Sequence, residues 1–367
     1  MHEELLEREN KSAELIVRSL DPLNAEPPLD LLRRSHITAN RLFFVRNHAP
    51  VPQIDPRSYR LHVNGLVRRE LQLSLDELRR EFPIRTIVAT LQCAGNRRQE
   101  LMRFKPIPDE IEWHAGAIGT AEWRGVSLRD VLRAAEVLDE AQHVAFLGLD
   151  RVRKKDLEFG FGGSIPLEKA LSPEVILAFE MNGEPLPPAH GFPLRVVVPG
   201  YIGARSVKWL GQITLQKTPS ENYFQARAYK IFAPHVTAET ADWDRGLTLG
   251  ELPISSVICS PQDGSEVEAG PLSIKGYALS SGGRSIERVE VSLDGGESWT
   301  IAELEPERGR WAWRFWEATL VVDRGEREIV ARAWDSAANT QPEEARRIWN
   351  FKGYVNNAWH RIWVKVK

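Results

Sequence analysis

Residues 90–100 read TLQCAGNRRQE: Cys93 ends an apolar, β-branched run, and Arg97 and Arg98 follow close behind it. A thiol ligates a soft metal or attacks an electrophile as its thiolate, the form that neighbouring cations stabilise. Ala94, Gly95 and Asn96 read as a loop at the strand end. No motif supplies the partner base of a cysteine hydrolase. A free cysteine is usually a small buried hydrophobe. The chemistry here places metal ligation or a reactive thiol only slightly ahead of that packing role. The other cysteine, Cys259, lies far along the chain, and no C-x-x-C pair offers a zinc or iron–sulfur site. A disulfide framework is not expected, and a reducing compartment fits.

Cations form the second constellation. Arg46 follows an apolar run in FFVRNH, His190 and Arg195 flank a strand in HGFPLR, and Arg205 and Lys208 sit at a glycine-containing turn in GARSVK. Taken singly, each is more often a solvated side chain. Their loop positions beside apolar strands point to a shared anion site. Each charge-assisted bond there contributes roughly 1.5–3 kcal/mol. Clustered cations repel one another, so such a site needs an anionic partner, a cofactor phosphate or an oxyanion substrate. GFGGSIP lacks both the G-x-G-x-x-G pattern and a P-loop lysine, and reads as a glycine-rich turn before a short helix begun at Pro166. SLDGGESW has the spacing of an Asp-box but occurs once, where a propeller would repeat it. It reads as a hairpin device in which Asp294 bonds its own backbone and Trp299 plugs the core.

The elements that must position these groups follow from pattern. The first 50 residues look irregular after an acidic helical start, and the prolines 22, 27, 28 and 50 imply extended chain over a surface. YRLHVNGLV alternates as a strand. SLDELRREFP is a short helix with Ser74 as N-cap, Glu77 closing a capping box and Pro83 ending it. TIVATLQ is the strand that delivers Cys93. SLRDVLRAAEVL is a helix capped by Ser127, with Leu128, Val131, Leu132 and Ala135 on one face. VILAFEMNGEPLP is a strand followed by an Asn182-Gly183 turn, and FPLRVVVPG and SVKWLGQITLQ are two more strands. From Glu251 onward helical periodicity vanishes. PLSIKGYALS, IERVEVSLDGG, WTIAEL, RWAWRFWEATL, REIVARAWDS and RRIWNFKGY read as evenly spaced short strands, the pattern of a β-sandwich.

A chain of 367 residues exceeds one comfortable core and implies two domains. The reading is α+β: a mixed α/β domain over 1–250, then an all-β immunoglobulin-like sandwich over 251–367. With 48 basic against 51 acidic residues the net charge is −3, so no global field argues for nucleic acid or an anionic membrane. No segment approaches the roughly 20 apolar residues that span a bilayer, and no signal sequence is evident. A cytoplasmic location is expected, or a periplasmic one if a leader has been removed.

Together the motifs resemble the sulfite oxidase family of molybdenum enzymes. TLQCAGNRR is similar to that family's molybdenum-cysteine motif, and FFVRNHAPVP to its upstream arginine segment. MNGEPLPPAHGFPLRVVVPGYIGARSVKWLG resembles its cofactor-binding stretch, and VSLDGGESW and WNFKGYVNNAWHR its dimerisation domain. Matching segments run from about 41 to 366. The resemblance implies Mo-molybdopterin as cofactor, with Cys93 as the protein ligand to molybdenum. It implies pterin contacts at Phe43, Phe44, Val45, Arg46, Asn47, Asp150, His190, Arg195, Ser206, Val207 and Lys208. Substrate-pocket positions would be Arg46, Arg98, Trp113, Tyr229 and Lys352. The family pattern carries arginine before the glycine of WN-x-x-G, where this chain has Lys352: the charge is kept, the bidentate fork is lost. Nitrate-reducing relatives usually lack a cation there, so Lys352 favours sulfite. The implied activity is oxidation of sulfite to sulfate by a homodimer. Neither haem nor flavin is expected, and electrons would leave to an external acceptor such as cytochrome c or oxygen. The alternatives are reduction of nitrate or another S- or N-oxide, or a binding protein with Cys93 merely buried.

Overall fold

The computed structural model describes residues 2–154 and 156–367. Its architecture is the expected α+β one, rich in strands and short of helix. Two five-stranded sheets frame the first part. One sheet runs in the order Gly162–Pro166, His143–Gly148, Leu210–Gln216, Leu61–Gly65, Leu71–Leu73, with a parallel pair between Leu210–Gln216 and Leu61–Gly65. The other runs Glu184–Pro185, Ile176–Met181, Ile118–Ser127, Ile84–Gln92, and Arg195–Val197 also pairs with Ile176–Met181. The strands from Ser255 to Val366 form a four-stranded and a five-stranded sheet, whose apolar core includes Ile274, Val289, Trp316 and Ile329.

The strand Ile84–Gln92 shows how local pattern becomes site architecture. Its first five residues are exposed or half-buried, and its last four are buried. It pairs in register with Ile118–Ser127 along its whole length, and the pairing continues as Cys93 N–H donates to the Ala117 carbonyl at 2.9 Å. Cys93 therefore emerges inside the protein. The capping-box helix Leu75–Glu81 forms as its sequence dictates, with Ser74 and Glu77 bonded reciprocally, a cap that contributes about 1 kcal/mol. Asn182 and Gly183 both take positive φ, 54° and 78°, as a tight hairpin turn demands.

Several local expectations are corrected. The N-terminal region is not merely draped chain: Leu23–Glu26 is a fully buried strand, and Ala25 exchanges backbone bonds with Val45. Glu26, the strand's last residue, is fixed by Arg18 at 2.6 Å and by the amides of His114 and Gly116. Residues 162–166 are a strand rather than a glycine-rich turn. Its glycines serve close packing, since a Cβ at Gly162 would lie 2.7 Å from the Phe146 carbonyl oxygen. Ser127 precedes the helix Leu128–Ala134 but makes no side-chain cap bond. It still belongs to the preceding strand, and its hydroxyl is buried without a partner among the described residues. RRIWNFKGY is a short 3-10 turn, Ala345–Ile348, and a loop. Trp299 does not plug the core. It is half-buried, edge-on to Trp359 and under the Arg332 guanidinium, while Asp294 does bond Ser298 as the hairpin reading requires.

The two parts are stitched together near the strand that carries Cys93. Ala89 bridges Trp311, the Trp313 amide donates to Thr90 Oγ1 at 2.8 Å, and the Tyr277 hydroxyl donates to the Ala115 carbonyl at 3.0 Å. Among the described residues no helix is long and apolar enough to cross a membrane.

Candidate active site

A cavity of about 690 Å³, partly open to solvent, lies where the two sheets of the first part meet. Cys93, Phe43, Phe44, Arg46, Asn47, Asp150, His190, Arg195, Ser206, Lys208 and Tyr229 line it. Six separate stretches of chain thus converge as the cation pattern required. Val45 and Val207 do not line it. Both are buried: Val45 exchanges backbone bonds with Ala25, and the Val207 carbonyl accepts from the Val196 amide, which holds their neighbours in place.

Cys93 Sγ accepts one hydrogen bond, from Gly95 N–H at 3.4 Å. Burial pushes the thiol's pKa up, against the opposing pull of Arg46 and Arg98. Arg97 plays no part there. It adopts a left-handed φ of 65° and turns to Glu100 at 2.7 Å and the Ala358 carbonyl, bracing the junction with the sandwich. Of the two arginines in the motif, only Arg98 acts on the cysteine.

At one end of the cavity the cations are buried and short of counter-charge. Arg195 donates to the carbonyls of His190 and Ser206, both at 2.9 Å, and burial pulls its pKa down to about 9. Lys208 donates to Asn47 Oδ1 and to the Ala189 carbonyl. Its pKa is held well below the usual lysine value by burial, then by Arg195 and Arg46. His190 Nε2 accepts from Lys11 Nζ at 2.7 Å, and burial with Lys11 and Lys208 nearby keeps the imidazole neutral. The only carboxylate in the lining is Asp150, whose pKa burial raises and whose Oδ1 accepts the Phe161 amide. Asn47 Nδ2 is buried with no partner among the described residues. Arg205 leaves this cluster and donates to the Leu249 carbonyl.

The other end is built around Tyr229; Arg98, Trp113 and Lys352, expected in the substrate pocket, are not among the lining residues and stand behind it. Tyr229 O–H lies 3.1 Å from His48 Nε2, which also accepts from Arg46 NH2 at 2.8 Å. Burial, then Arg46 and Lys208, holds His48 neutral, and burial raises the Tyr229 pKa. Tyr229 stacks on Tyr354, and Arg98 lies over the Tyr354 ring. Arg98 is fixed by three carbonyls, those of Lys352, Gly353 and Ile111. Gly353 has φ +60°, and a Cβ there would meet Arg98 Cγ at 2.6 Å, so only glycine lets this loop close on the arginine. Phe351 anchors the same loop against Phe232 and Trp243. Lys352 Nζ is ion-paired with Glu110, whose other oxygen lies 3.4 Å from Arg98 NH2. Trp113 is fully buried against the apolar cluster that contains Cys93 and Phe43, and its indole N–H has no partner among the described residues.

Sequence reasoning missed Lys11, Asn24, His48, Glu110 and Tyr354. His48 directly follows Asn47 and was within reach of the arginine motif. Asn24, which fixes Asn47 and Arg46, and Lys11 lie in the stretch read as irregular.

This fold and this one-thiol, cation-lined cavity define a molybdenum oxidoreductase. The family model "Oxidoreductase molybdopterin binding domain" matches residues 48–224, and "Mo-co oxidoreductase dimerisation domain" matches 247–367. The chain is 49% identical over 363 residues to the mitochondrial sulfite oxidase of Homo sapiens, an alignment covering 96% of this chain and 66% of that protein. It is 41% identical to the sulfite oxidase of Arabidopsis thaliana, covering 96% of this chain and 94% of that one. The sulfane dehydrogenase SoxCD of Paracoccus pantotrophus superposes with a TM-score of 0.81 at 30% identity, covering 100% and 90% of the respective chains. The chain belongs to the sulfite oxidase family.

The residues present fit the molybdenum cofactor. Among the described residues no three of His, Cys, Asp or Glu stand together to hold a metal. Cys93, buried in the cavity wall, is the one thiol there and would serve as the protein ligand of a cofactor that carries its own sulfur donors. The under-compensated cations Arg195, Lys208 and Lys11 and the orphaned Asn47 Nδ2 call for an anionic, hydrogen-bonding partner, which a pterin phosphate provides.

Proposed function

We propose that this chain oxidises sulfite to sulfate: sulfite and water give sulfate, two protons and two electrons. The observation that carries the reading is Arg46 in the cavity wall with Cys93 and Tyr229, backed by Arg98 and Lys352 over the Tyr354 ring that stacks on Tyr229. Kinship at 49% identity to the human sulfite oxidase supports it. Bound beside Cys93, the molybdenum cofactor supplies two-electron oxo transfer. The protein's share is ligation, positioning and electrostatics.

Cys93 ligates the metal through sulfur. Arg195, Lys208 and His190, with Asp150, Ser206, Phe43, Phe44 and Asn47, hold the pterin, while Val45, Val207 and Lys11 act from behind the lining, the valines through backbone bonds and Lys11 through its bond to His190. Arg46, Arg98 and Lys352 bind the sulfite oxygens. Arg98 can offer chiefly its NH2 group, because Nε and one N–H of NH1 are committed to carbonyls. Tyr229 keeps its proton, since burial raises its pKa, and acts as a hydrogen-bond donor. Neutral His48 accepts from both Tyr229 and Arg46 and so fixes one relative to the other. Trp113 packs behind Cys93 and limits the pocket.

The electrons pass to an acceptor outside residues 1–367, cytochrome c or oxygen. The region 247–367 pairs two copies into a homodimer, supported by its match to a dimerisation domain. The cytoplasm or the periplasm is the compartment. The test is made on protein from a host that synthesises the cofactor. Elemental mass spectrometry is expected to find one molybdenum per chain, with sulfite-dependent reduction of cytochrome c. Nitrate turnover without sulfite turnover would replace the reading, and folded protein with no molybdenum would leave a binding protein.

A further inference from the structure

Glu110 belongs to no motif singled out in the sequence, yet it occupies the centre of the substrate-side cation cluster. One carboxylate oxygen pairs with Lys352 Nζ and the other lies 3.4 Å from Arg98 NH2, the guanidinium nitrogen that bonds no carbonyl. Its side chain is 13% exposed. Asp109, immediately before it, takes a left-handed φ of 62°, so the chain turns sharply to present it. Glu110 reaches the Tyr229 end of the cavity through Arg98, which lies over the Tyr354 ring that stacks on Tyr229. Two oxygens on one carbon, a few ångströms from two cations, imitate two oxygens of a bound oxyanion.

We propose that Glu110 is a built-in competitor for the substrate, a carboxylate that occupies Lys352 and Arg98 until an oxyanion displaces it. The proposal rests on the sulfite reading above for the identity of the oxyanion. Any oxyanion taking that position must break the same two contacts, so each pays one fixed cost. Sulfite binding and sulfate retention are weakened equally, and the site trades affinity for product release. Lys352 suits this role, because a single flexible ammonium can exchange partners where a guanidinium fork would hold a carboxylate in two places.

The test compares wild-type holoenzyme with Glu110→Gln. KM for sulfite is expected to fall about tenfold with kcat changed by less than about twofold. Inhibition constants for sulfate and for nitrate should fall by that same factor. Sulfate binding followed by calorimetry, with no turnover involved, should tighten in parallel. In the double variant Lys352→Met/Glu110→Gln, KM should lie nearer wild type than in Lys352→Met alone, whose carboxylate is left facing the substrate. A KM that rises in Glu110→Gln with an unchanged melting temperature makes Glu110 a brace for Lys352, and overturns the proposal. A gain for dianions that far exceeds the gain for nitrate means the carboxylate stays in place and acts through its field alone, which also overturns it. Molybdenum-loaded wild type without sulfite turnover would sink the sulfite reading instead, and the calorimetric sulfate comparison would still decide the role of Glu110.

Discussion

The two ends of the cavity treat positive charge in opposite ways. At the pterin end, Arg195, Lys208 and Lys11 are buried and satisfied mainly by carbonyls, an amide and an imidazole. At the substrate end, Arg98 and Lys352 share the carboxylate of Glu110. Buried charge without a counter-ion is costly to the fold, so the first cluster is arranged for a partner that stays. The second is neutral enough to stand with the pocket empty of substrate and to let an anion come and go. On the proposed reading a resident cofactor and a passing substrate call for different electrostatics, and the two clusters, one in the cavity wall and one behind it, supply both.

Cys93, between the clusters, gives the largest expected effect. Cys93→Ser should nearly abolish sulfite turnover with pterin still bound, since an alcohol is a poor substitute for a thiolate on a soft metal. Substantial residual activity, assayed per bound pterin, would remove the ligand role. Lys208→Met should break the pterin end alone. Molybdenum per chain should drop severalfold by elemental mass spectrometry. The cofactor-free protein should melt no lower than wild type, because a buried, under-compensated cation is gone. A lower melt with full loading would make Lys208 a structural residue and erase the contrast. Lys352→Met should touch only the other end: full molybdenum, KM for sulfite raised about ten- to a hundredfold, and kcat changed far less. An unchanged KM would take Lys352 out of the site.

The smallest effect concerns charge that burial suppresses outright. His360, at the junction with the sandwich, accepts the Ile258 amide through Nδ1, and burial holds its pKa down to about 4 against 6.5 for a free imidazole. The unfolded chain therefore binds a proton that the folded chain refuses. The resulting destabilisation is absent above pH 6.5, grows as pH falls, and levels off below about 4. At pH 5.5 it amounts to about 1.4 kcal/mol. Denaturant unfolding of the cofactor-free protein at pH 7.5 and 5.5 should show that loss, and His360→Gln should reduce it. An equal loss in the variant would assign the acid sensitivity elsewhere.

Much of this protein follows from its sequence because the signals are local. Ser74 and Glu77 define a helix start three residues apart, Asn182-Gly183 defines a hairpin, and the apolar run before Cys93 delivers the thiol to the interior. Loop cations beside apolar strands announced an anion site, and those lining the cavity lie on several such loops. The errors were local signals overruled by packing: glycines 162 and 163 read as a turn but serve a strand pressed against its neighbours, and the proline-rich start is buried because a neighbouring segment pairs with it. What the sequence could not show was which charges meet. Lys11 reaches His190 across 179 positions, and Glu110 reaches Lys352 across 242. No periodicity or motif records such a pairing, because it is created only when distant segments are packed within bonding distance. Residue types and spacing determined that the chain would hold a thiol among cations; the tertiary structure alone decided which of those cations would be left without a counter-charge and which would be answered by Glu110.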